Sequence, residues 1–122
     1  MGKPAPGTTL PQQVASFGIA NMRRQILLCA GANCVDTPRG EIAWNYLKKR
    51  IAELHLERAP THVYRTRCAC LRVCMSGPIL VVQPDGTWYH SADPPVIERI
   101  LQEHVLGGMP VEEFVIVEQP LG

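Results

Sequence analysis

Aromatic residues and net charge are both scarce in this sequence. Aromatic side chains make up 6% of the 122 residues, and the formal net charge is +1. A surface that binds nucleic acid needs concentrated Lys and Arg, and the chain has no such concentration. The sequence also lacks an apolar run of about 18 residues and the apolar segment of a secretory signal at its N-terminus. We therefore expect a cytoplasmic protein that binds neither nucleic acid nor a membrane.

Cysteine is absent from most of the chain. All five cysteines lie within residues 29–34 and 68–74. A chain of this length with 46% hydrophobic residues can bury a core without disulfides. In a reducing compartment, clustered cysteines are ligands or redox groups more often than disulfide partners. The two cysteine segments are therefore the one chemical centre of this sequence.

The spacing of the cysteines limits the kind of site. Four residues separate Cys29 from Cys34, and three separate Cys70 from Cys74. Four thiolates suit either tetrahedral zinc or an iron-sulfur cluster. Structural zinc usually takes closer C-x2-C pairs, so the wider spacing favours a larger object between the pairs. A structural zinc module remains an alternative. A thiol-disulfide enzyme is a weaker one, because no C-x2-C opens the first predicted helix.

The hydrophobic pattern predicts alternating strands and helices. The expected strands are 25–29, 61–67, 79–83 and 87–90, and the expected helices are 37–54 and 93–105. The first two strands are joined by a helix, so they should be parallel, and both cysteine segments should leave the same edge of the sheet. The order β-α-β-β-β-α is that of the thioredoxin core. We predict an α/β, thioredoxin-like fold, with a mixed four-stranded sheet and flanking helices.

The two ends of the chain have a different pattern from this core. Residues 1–21 are rich in Pro and Gly without helical or strand periodicity, which predicts an extended or mobile arm. That arm could instead pack on the body or on a second subunit. Residues 22–108 form the predicted domain. Residues 109–122 form a tail that could add a short edge strand.

The sequence from Cys70 to Tyr89 resembles a known family. It combines C-x3-C with Gly77-Pro78 and a Val-rich strand, and in this it is similar to the thioredoxin-like 2Fe-2S ferredoxins. It is also similar to the related iron-sulfur subunit of NADH dehydrogenases and some hydrogenases. The similarity spans roughly residues 22–108.

This resemblance implies a function and a set of ligands. The implied function is that of a one-electron carrier, not an enzyme, with a reductase and an acceptor enzyme as partners and a homodimer as the assembly. A subunit of a larger dehydrogenase or hydrogenase complex is the alternative. A four-thiolate cluster has no open position for a substrate. The implied ligands of the 2Fe-2S cluster are Cys29, Cys34, Cys70 and Cys74.

Two features depart from the expected family pattern. The x4 gap between Cys29 and Cys34 is closer to the dehydrogenase subunit than to ferredoxins with a longer gap. Cys68 is an extra thiol that could replace Cys70, although Cys70 has the x3 spacing to Cys74. Neither cysteine segment contains His, which argues against a Rieske-type centre.

Glycine, proline and arginine residues flank the cysteines. Gly31 and Gly77 could let backbone N–H groups approach sulfur, or they could be ordinary turn glycines. Pro78 precedes a predicted strand where thioredoxin folds commonly place a cis-proline, so we expect a cis Gly77–Pro78 bond. The nearby arginines could raise the reduction potential, guide an acidic partner, or simply be solvated; they are Arg65, Arg67 and Arg72.

Overall fold

The computed structural model describes residues 3–31 and 34–121. Its helices are α1 (Leu10–Ser16), α2 (Thr37–Glu53) and α3 (Pro94–Arg99), and α3 continues as a π-helix over Ile100–Leu106. Short 3-10 turns lie at Ile19–Asn21 and Glu112–Phe114. The strands are β1 (Arg24–Cys29), β2 (Val63–Cys68), β3 (Ile79–Gln83), β4 (Thr87–Tyr89) and β5 (Val115–Glu118).

The sheet has the order β2-β1-β3-β4-β5. Strands β1 and β2 are parallel, as the β-α-β pattern predicts, and β3 runs antiparallel to β1. Helices α2 and α3 pack on one face, where Leu47 and Ile97 join the buried core with Ile26 and Leu28. In the described part of the chain, no helix is long and apolar enough to cross a membrane. The parallel pair brings Cys29 and Cys68 side by side at one edge.

Within the described residues the sheet has five strands, so the prediction of four was wrong by one. The additional strand, β5, pairs antiparallel with β4. The pairing continues past the strand, because the Gln119 N–H donates to the Gly86 carbonyl at 2.7 Å and the Leu121 N–H donates to that of Pro84 at 3.1 Å. β-branched residues favour strands, and three of them, residues 115–117, lie along the free edge of β4. The edge strand considered for the tail is therefore present.

The N-terminal arm contains a helix where an extended segment was predicted. The Gln12 N–H donates to Thr9 Oγ1 at 3.2 Å, and the Thr9 N–H donates to Gln12 Oε1 at 2.9 Å. This capping box, with Pro11 in the first turn, satisfies N–H groups that a helix start leaves unpaired. Within this fully described helix, no side chain is buried. The domain boundary after residue 21 stays a prediction.

A buried polar chain joins the β3–β4 turn to the π-helix. Tyr89 Oη accepts from the Val111 N–H at 3.1 Å and lies 2.7 Å from His104 Nδ1. His104 is 1% exposed, and its Nε2 lies 2.9 Å from Asp85. Asp85 also accepts from Arg24. These contacts fix the end of the sheet that is opposite the cysteines.

Candidate metal centre

The first cysteine pair is built into the core. Cys29 ends β1 and is 2% exposed, while Cys34 is 8% exposed. The N–H groups of Cys34 and Val35 both donate to the Gly31 carbonyl, at 2.9 and 3.1 Å. This turn leads into α2, where Asp36 Oδ1 caps the helix by accepting from the Arg39 N–H at 3.1 Å. The start of α2 thus holds the Cys34 backbone against the end of β1.

The second cysteine pair lies on an exposed loop. Cys70 Sγ and Cys74 Sγ are 3.9 Å apart, and both residues are exposed. Every second residue of this loop from Arg72 to Ser76 has a left-handed backbone conformation, with φ of 70° at Arg72 and 56° at both Cys74 and Ser76. Such a backbone is unfavourable for residues other than glycine, and it clusters at functional sites. The Arg72 N–H donates to Cys70 Sγ at 3.2 Å, so part of the loop already points an amide at sulfur.

The first pair and the extra thiol Cys68 lie in one small cluster. Cys29, Cys34 and Ile79 form a buried group, against which Cys68, Leu71, Val73 and Trp88 pack. Burial raises the pKa of Cys34 to about 11; the Ile79 N–H opposes this shift, and the thiols of Cys29 and Cys74 add to it. The hydrogen bond with Cys70 raises the pKa of Cys74, and the charge of Cys29 adds to the shift. The raised pKa values keep these thiols protonated when no cation is bound, and a bound cation would favour their thiolate forms.

Two glycines allow the cysteine segments to approach each other. A Cβ on Gly77 would lie 2.4 Å from Cys34 Sγ, and a Cβ on Gly31 would lie 1.9 Å from the Ala69 carbonyl oxygen. Neither glycine has a positive φ, so what each position requires is the absence of a Cβ. The Gly77 N–H donates to the Cys34 carbonyl at 3.1 Å and not to sulfur. The Gly77–Pro78 bond is cis, as predicted.

The donor set has the chemistry that an iron-sulfur cluster needs. The four thiols come from two segments of the chain. Gly77 lies beside Cys34, and any side chain at position 77 would occupy the space next to the Cys34 sulfur. Among residues 3–31 and 34–121, no three Cys, His, Asp or Glu side chains are placed to share one metal ion. The chemistry of the donor set, two thiol pairs on two segments, fits a 2Fe-2S cluster.

Cys68 is oriented differently from Cys70. Its Sγ lies 3.5 Å from the Leu28 carbonyl oxygen, to which the thiol can donate. Burial raises the pKa of Cys68, and the neighbouring Cys29 and Cys70 add to the shift. Cys70 instead faces Cys74. These contacts favour Cys70 over Cys68 as the partner of Cys74.

The three predicted arginines have separate roles. Arg67 forms an ion pair with Glu41, and the Arg65 guanidinium lies 5.3 Å from the centre of the Trp44 ring. Arg72 remains exposed on the cysteine loop. The charge beside the second pair therefore comes mainly from Arg72, and the prediction that all three surround the site was too broad.

Arg39 is a site residue that the sequence interpretation missed. Its guanidinium donates to the Gly77 carbonyl at 3.1 Å and to both carboxylate oxygens of Asp93, at 3.2 and 2.7 Å. A cation in the first turn of a helix opposes the helix dipole. That unfavourable position was the available signal that Arg39 has another partner.

Comparison with known proteins identifies the family. A protein of Priestia megaterium assigned as a 2Fe-2S ferredoxin is 32% identical over 105 residues, which cover 86% of this chain and 79% of that protein. The chain belongs to the thioredoxin-like 2Fe-2S ferredoxin family. The 2Fe-2S ferredoxin of Clostridium pasteurianum is 31% identical to this ferredoxin over 106 residues, 80% of this chain and 100% of that one. No model of a protein family matches the sequence.

A solved structure confirms the fold of this ferredoxin. A thioredoxin-like 2Fe-2S ferredoxin from Aquifex aeolicus matches it with a TM-score of 0.69 and 24% sequence identity. The match covers 83% of this chain and 97% of that chain. The predicted thioredoxin-like class is therefore confirmed, although the strand count differs by one.

Proposed function

We propose that this ferredoxin carries single electrons with a 2Fe-2S cluster ligated by Cys29, Cys34, Cys70 and Cys74. When bound, the cluster supplies a one-electron redox couple. Family membership supports the electron-carrier function and the cluster, and it places the protein outside the enzymes. The observation that supports this ligand set is the closure of the two cysteine segments, with Gly77 packed on Cys34 and Cys70 facing Cys74.

The protein's own groups would tune the cluster through hydrogen bonds and burial. The Arg72 N–H points at Cys70 Sγ, and the Ile79 N–H lowers the pKa of Cys34 against the effect of burial. Donors to ligand sulfurs favour the more negative, reduced state, and so they raise the potential. The first pair is shielded while the second is exposed. We propose that electrons pass to and from redox partner proteins, a reductase and an acceptor enzyme, on the Cys70–Cys74 side.

The homodimer and the cytoplasmic location are also proposals. Neighbouring residues of a strand face opposite sides of the sheet, and α2 and α3 cover the side of Ile26 and Leu28. The other side carries Leu27 and Trp88, which are half-buried, and Val117, which is 48% exposed. A second copy packed on this face would bury them. Sedimentation of the wild type and of Val117→Asp tests this: the wild type should be a dimer and the variant a monomer.

The spectrum of anaerobically purified protein, before and after dithionite, tests the function. We expect a red-brown protein with two irons per chain that is EPR-silent when oxidised and gives a spin-half signal when reduced. A colourless protein with bound zinc, or a metal-free protein with a reducible disulfide, would contradict the proposal and leave the fold unchanged.

A further inference from the structure

The guanidinium of Arg39 joins three parts of the molecule. Arg39 belongs to the first turn of α2, directly after the segment that carries Cys34. It donates to the Gly77 carbonyl in the second cysteine segment and to Asp93 at the start of α3. A guanidinium is planar and carries several N–H donors, so it can bind two groups at once. Here Nε and Nη2 both donate to the Asp93 carboxylate, and Nη2 also donates to the Gly77 carbonyl.

Gly77 connects the two cysteine segments through hydrogen bonds of its backbone. Its N–H donates to the Cys34 carbonyl at 3.1 Å, and its carbonyl accepts from Arg39 at 3.1 Å. Both groups of Gly77 therefore bind the segment that runs from Cys34 into α2. Since Gly77 lacks a Cβ, Cys34 Sγ packs directly against its Cα. A shift of Gly77 would move the second thiolate pair relative to the first.

Asp93 serves Arg39 rather than its own helix. Asp93 is the N-cap residue of α3, but in the described structure its side chain makes no capping hydrogen bond. Both carboxylate oxygens accept from Arg39 instead, and this contact raises the pKa of the guanidinium. The Asp93 carboxylate thus binds Arg39 in place of the N–H groups at the start of its own helix, which a capping side chain would normally bind. This indicates that the position of the Arg39 guanidinium is important.

We propose that Arg39 is a positioning residue of the iron-sulfur site: by holding the Gly77 carbonyl, it sets the separation of the two cysteine pairs. This inference rests on the proposed function, because the separation matters only if both pairs bind one cluster. Arg39 does not touch the sulfurs. Residues that orient metal ligands in this way commonly change metal retention by about 10- to 100-fold when they are replaced.

Arg50 provides a matched control on the same helix. It donates to both carboxylate oxygens of Glu98, at 2.7 and 3.0 Å, and so it also ties α2 to α3. Its other hydrogen bond in the described structure goes to Glu53, on its own helix. Arg39 and Arg50 thus make the same kind of contact between helices, but only Arg39 also holds the cysteine segment.

The test compares Arg39→Ala, Arg39→Lys and Arg50→Ala with the wild type. The first measurement is the rate at which the visible absorbance is lost in EDTA. We expect loss about 10- to 100-fold faster for Arg39→Ala and at the wild-type rate for Arg50→Ala. Arg39→Lys should give an intermediate rate, because one ammonium keeps the charge but cannot hold Gly77 and both oxygens of Asp93 as a fork does. Equal rates in Arg39→Ala and Arg50→Ala would overturn the proposal.

The second measurement is hydrogen exchange of residues 76–78 by mass spectrometry, which requires no bound cluster. Exchange there should be faster in Arg39→Ala than in Arg50→Ala, because the Gly77 N–H to Cys34 bond opens more often. If the wild type is colourless, the proposed function fails, while the exchange rates still decide whether Arg39 fastens Gly77. If Arg39→Ala does not fold, the comparison of Arg39→Lys with Arg50→Ala decides: wild-type rates in both measurements for Arg39→Lys would overturn the proposal.

Discussion

The two cysteine pairs differ in how the fold holds them. Cys29 and Cys34 are 2% and 8% exposed and lie between a central strand and the start of a helix. Cys70 and Cys74 are exposed on a loop that departs from regular structure. The first pair is therefore part of the hydrophobic core, while the second is attached to it through Gly77. Changes at the first pair should affect folding and ligation together, and changes at the second should affect ligation alone.

The largest effect should come from Gly77→Ala, which removes the junction between the pairs. The added Cβ would lie 2.4 Å from Cys34 Sγ and 2.5 Å from the Cys34 carbonyl oxygen, so the two segments cannot close. We expect iron analysis to find no cluster. Overpacking at a tight site also costs about 1–3 kcal/mol of the free energy of unfolding.

Gly108→Ala is the control for this substitution. Gly108 has φ of 79°, and no atom lies within 4 Å of the position that a Cβ would take there, so alanine strains the backbone without a steric clash. It should cost about 1–2 kcal/mol and leave the iron content unchanged. A Gly77→Ala protein with two irons per chain would show that the pairs do not need this close approach.

The next largest effect is a difference in the free energy of unfolding between Cys34→Ser and Cys74→Ser. Both should lose the wild-type spectrum, since each removes a proposed thiolate ligand. A buried hydroxyl at position 34 should lower the free energy of unfolding of the iron-free protein by about 1–3 kcal/mol. Cys74→Ser should leave it unchanged, because that side chain is exposed. Equal unfolding curves in urea for the two variants would contradict this, because they would mean that Cys34 and Cys74 contribute equally to the stability of the iron-free protein.

The same contrast explains which parts of the fold could be predicted from sequence. The first pair follows an apolar run and precedes Pro38 in the first turn of α2, and such local patterns specify a strand end and a helix start. The parallel strands then bring both segments to one edge. The loop of the second pair could not be predicted, because its left-handed residues are Arg72, Cys74 and Ser76 rather than glycine. A contact distant in sequence helps to hold the loop, because the Ser91 N–H donates to the Ser76 carbonyl at 2.8 Å.

Two further features, the helix α1 and the role of Arg39, were not predicted from the sequence, and each has a physical explanation. The helix α1 depends on a local capping box, Thr9 with Gln12, which was present in the sequence but outweighed by nearby prolines. The role of Arg39 depends on Gly77 and Asp93, which lie 38 and 54 residues away along the chain. No local pattern encodes such a contact. The edge of the sheet that carries both cysteine segments was thus predictable, while the conformation of the second loop and the contacts of Arg39 were not.

The smallest effect should come from Arg72→Ala. Removing a positive charge near the exposed pair makes the added electron less stable, so the midpoint potential should fall. The change should be small and should shrink further at high salt, because Arg72 is exposed and its charge is screened. Voltammetry at two salt concentrations measures both, with the exposed Arg58→Ala as a control that should not shift. A potential equal to that of the wild type would mean that Arg72 does not tune the site.

The central claim is that one buried pair and one exposed pair share a 2Fe-2S cluster, with Cys70 as a ligand and Cys68 outside it. The most direct test is the EPR spectrum of the dithionite-reduced Cys68→Ser and Cys70→Ser proteins, recorded beside the wild type. Cys68 Sγ contacts the Leu28 carbonyl, whereas Cys70 Sγ lies 3.9 Å from Cys74 Sγ. The account predicts a wild-type signal for Cys68→Ser and a changed or lost signal for Cys70→Ser. A wild-type signal in Cys70→Ser with a changed one in Cys68→Ser would contradict it.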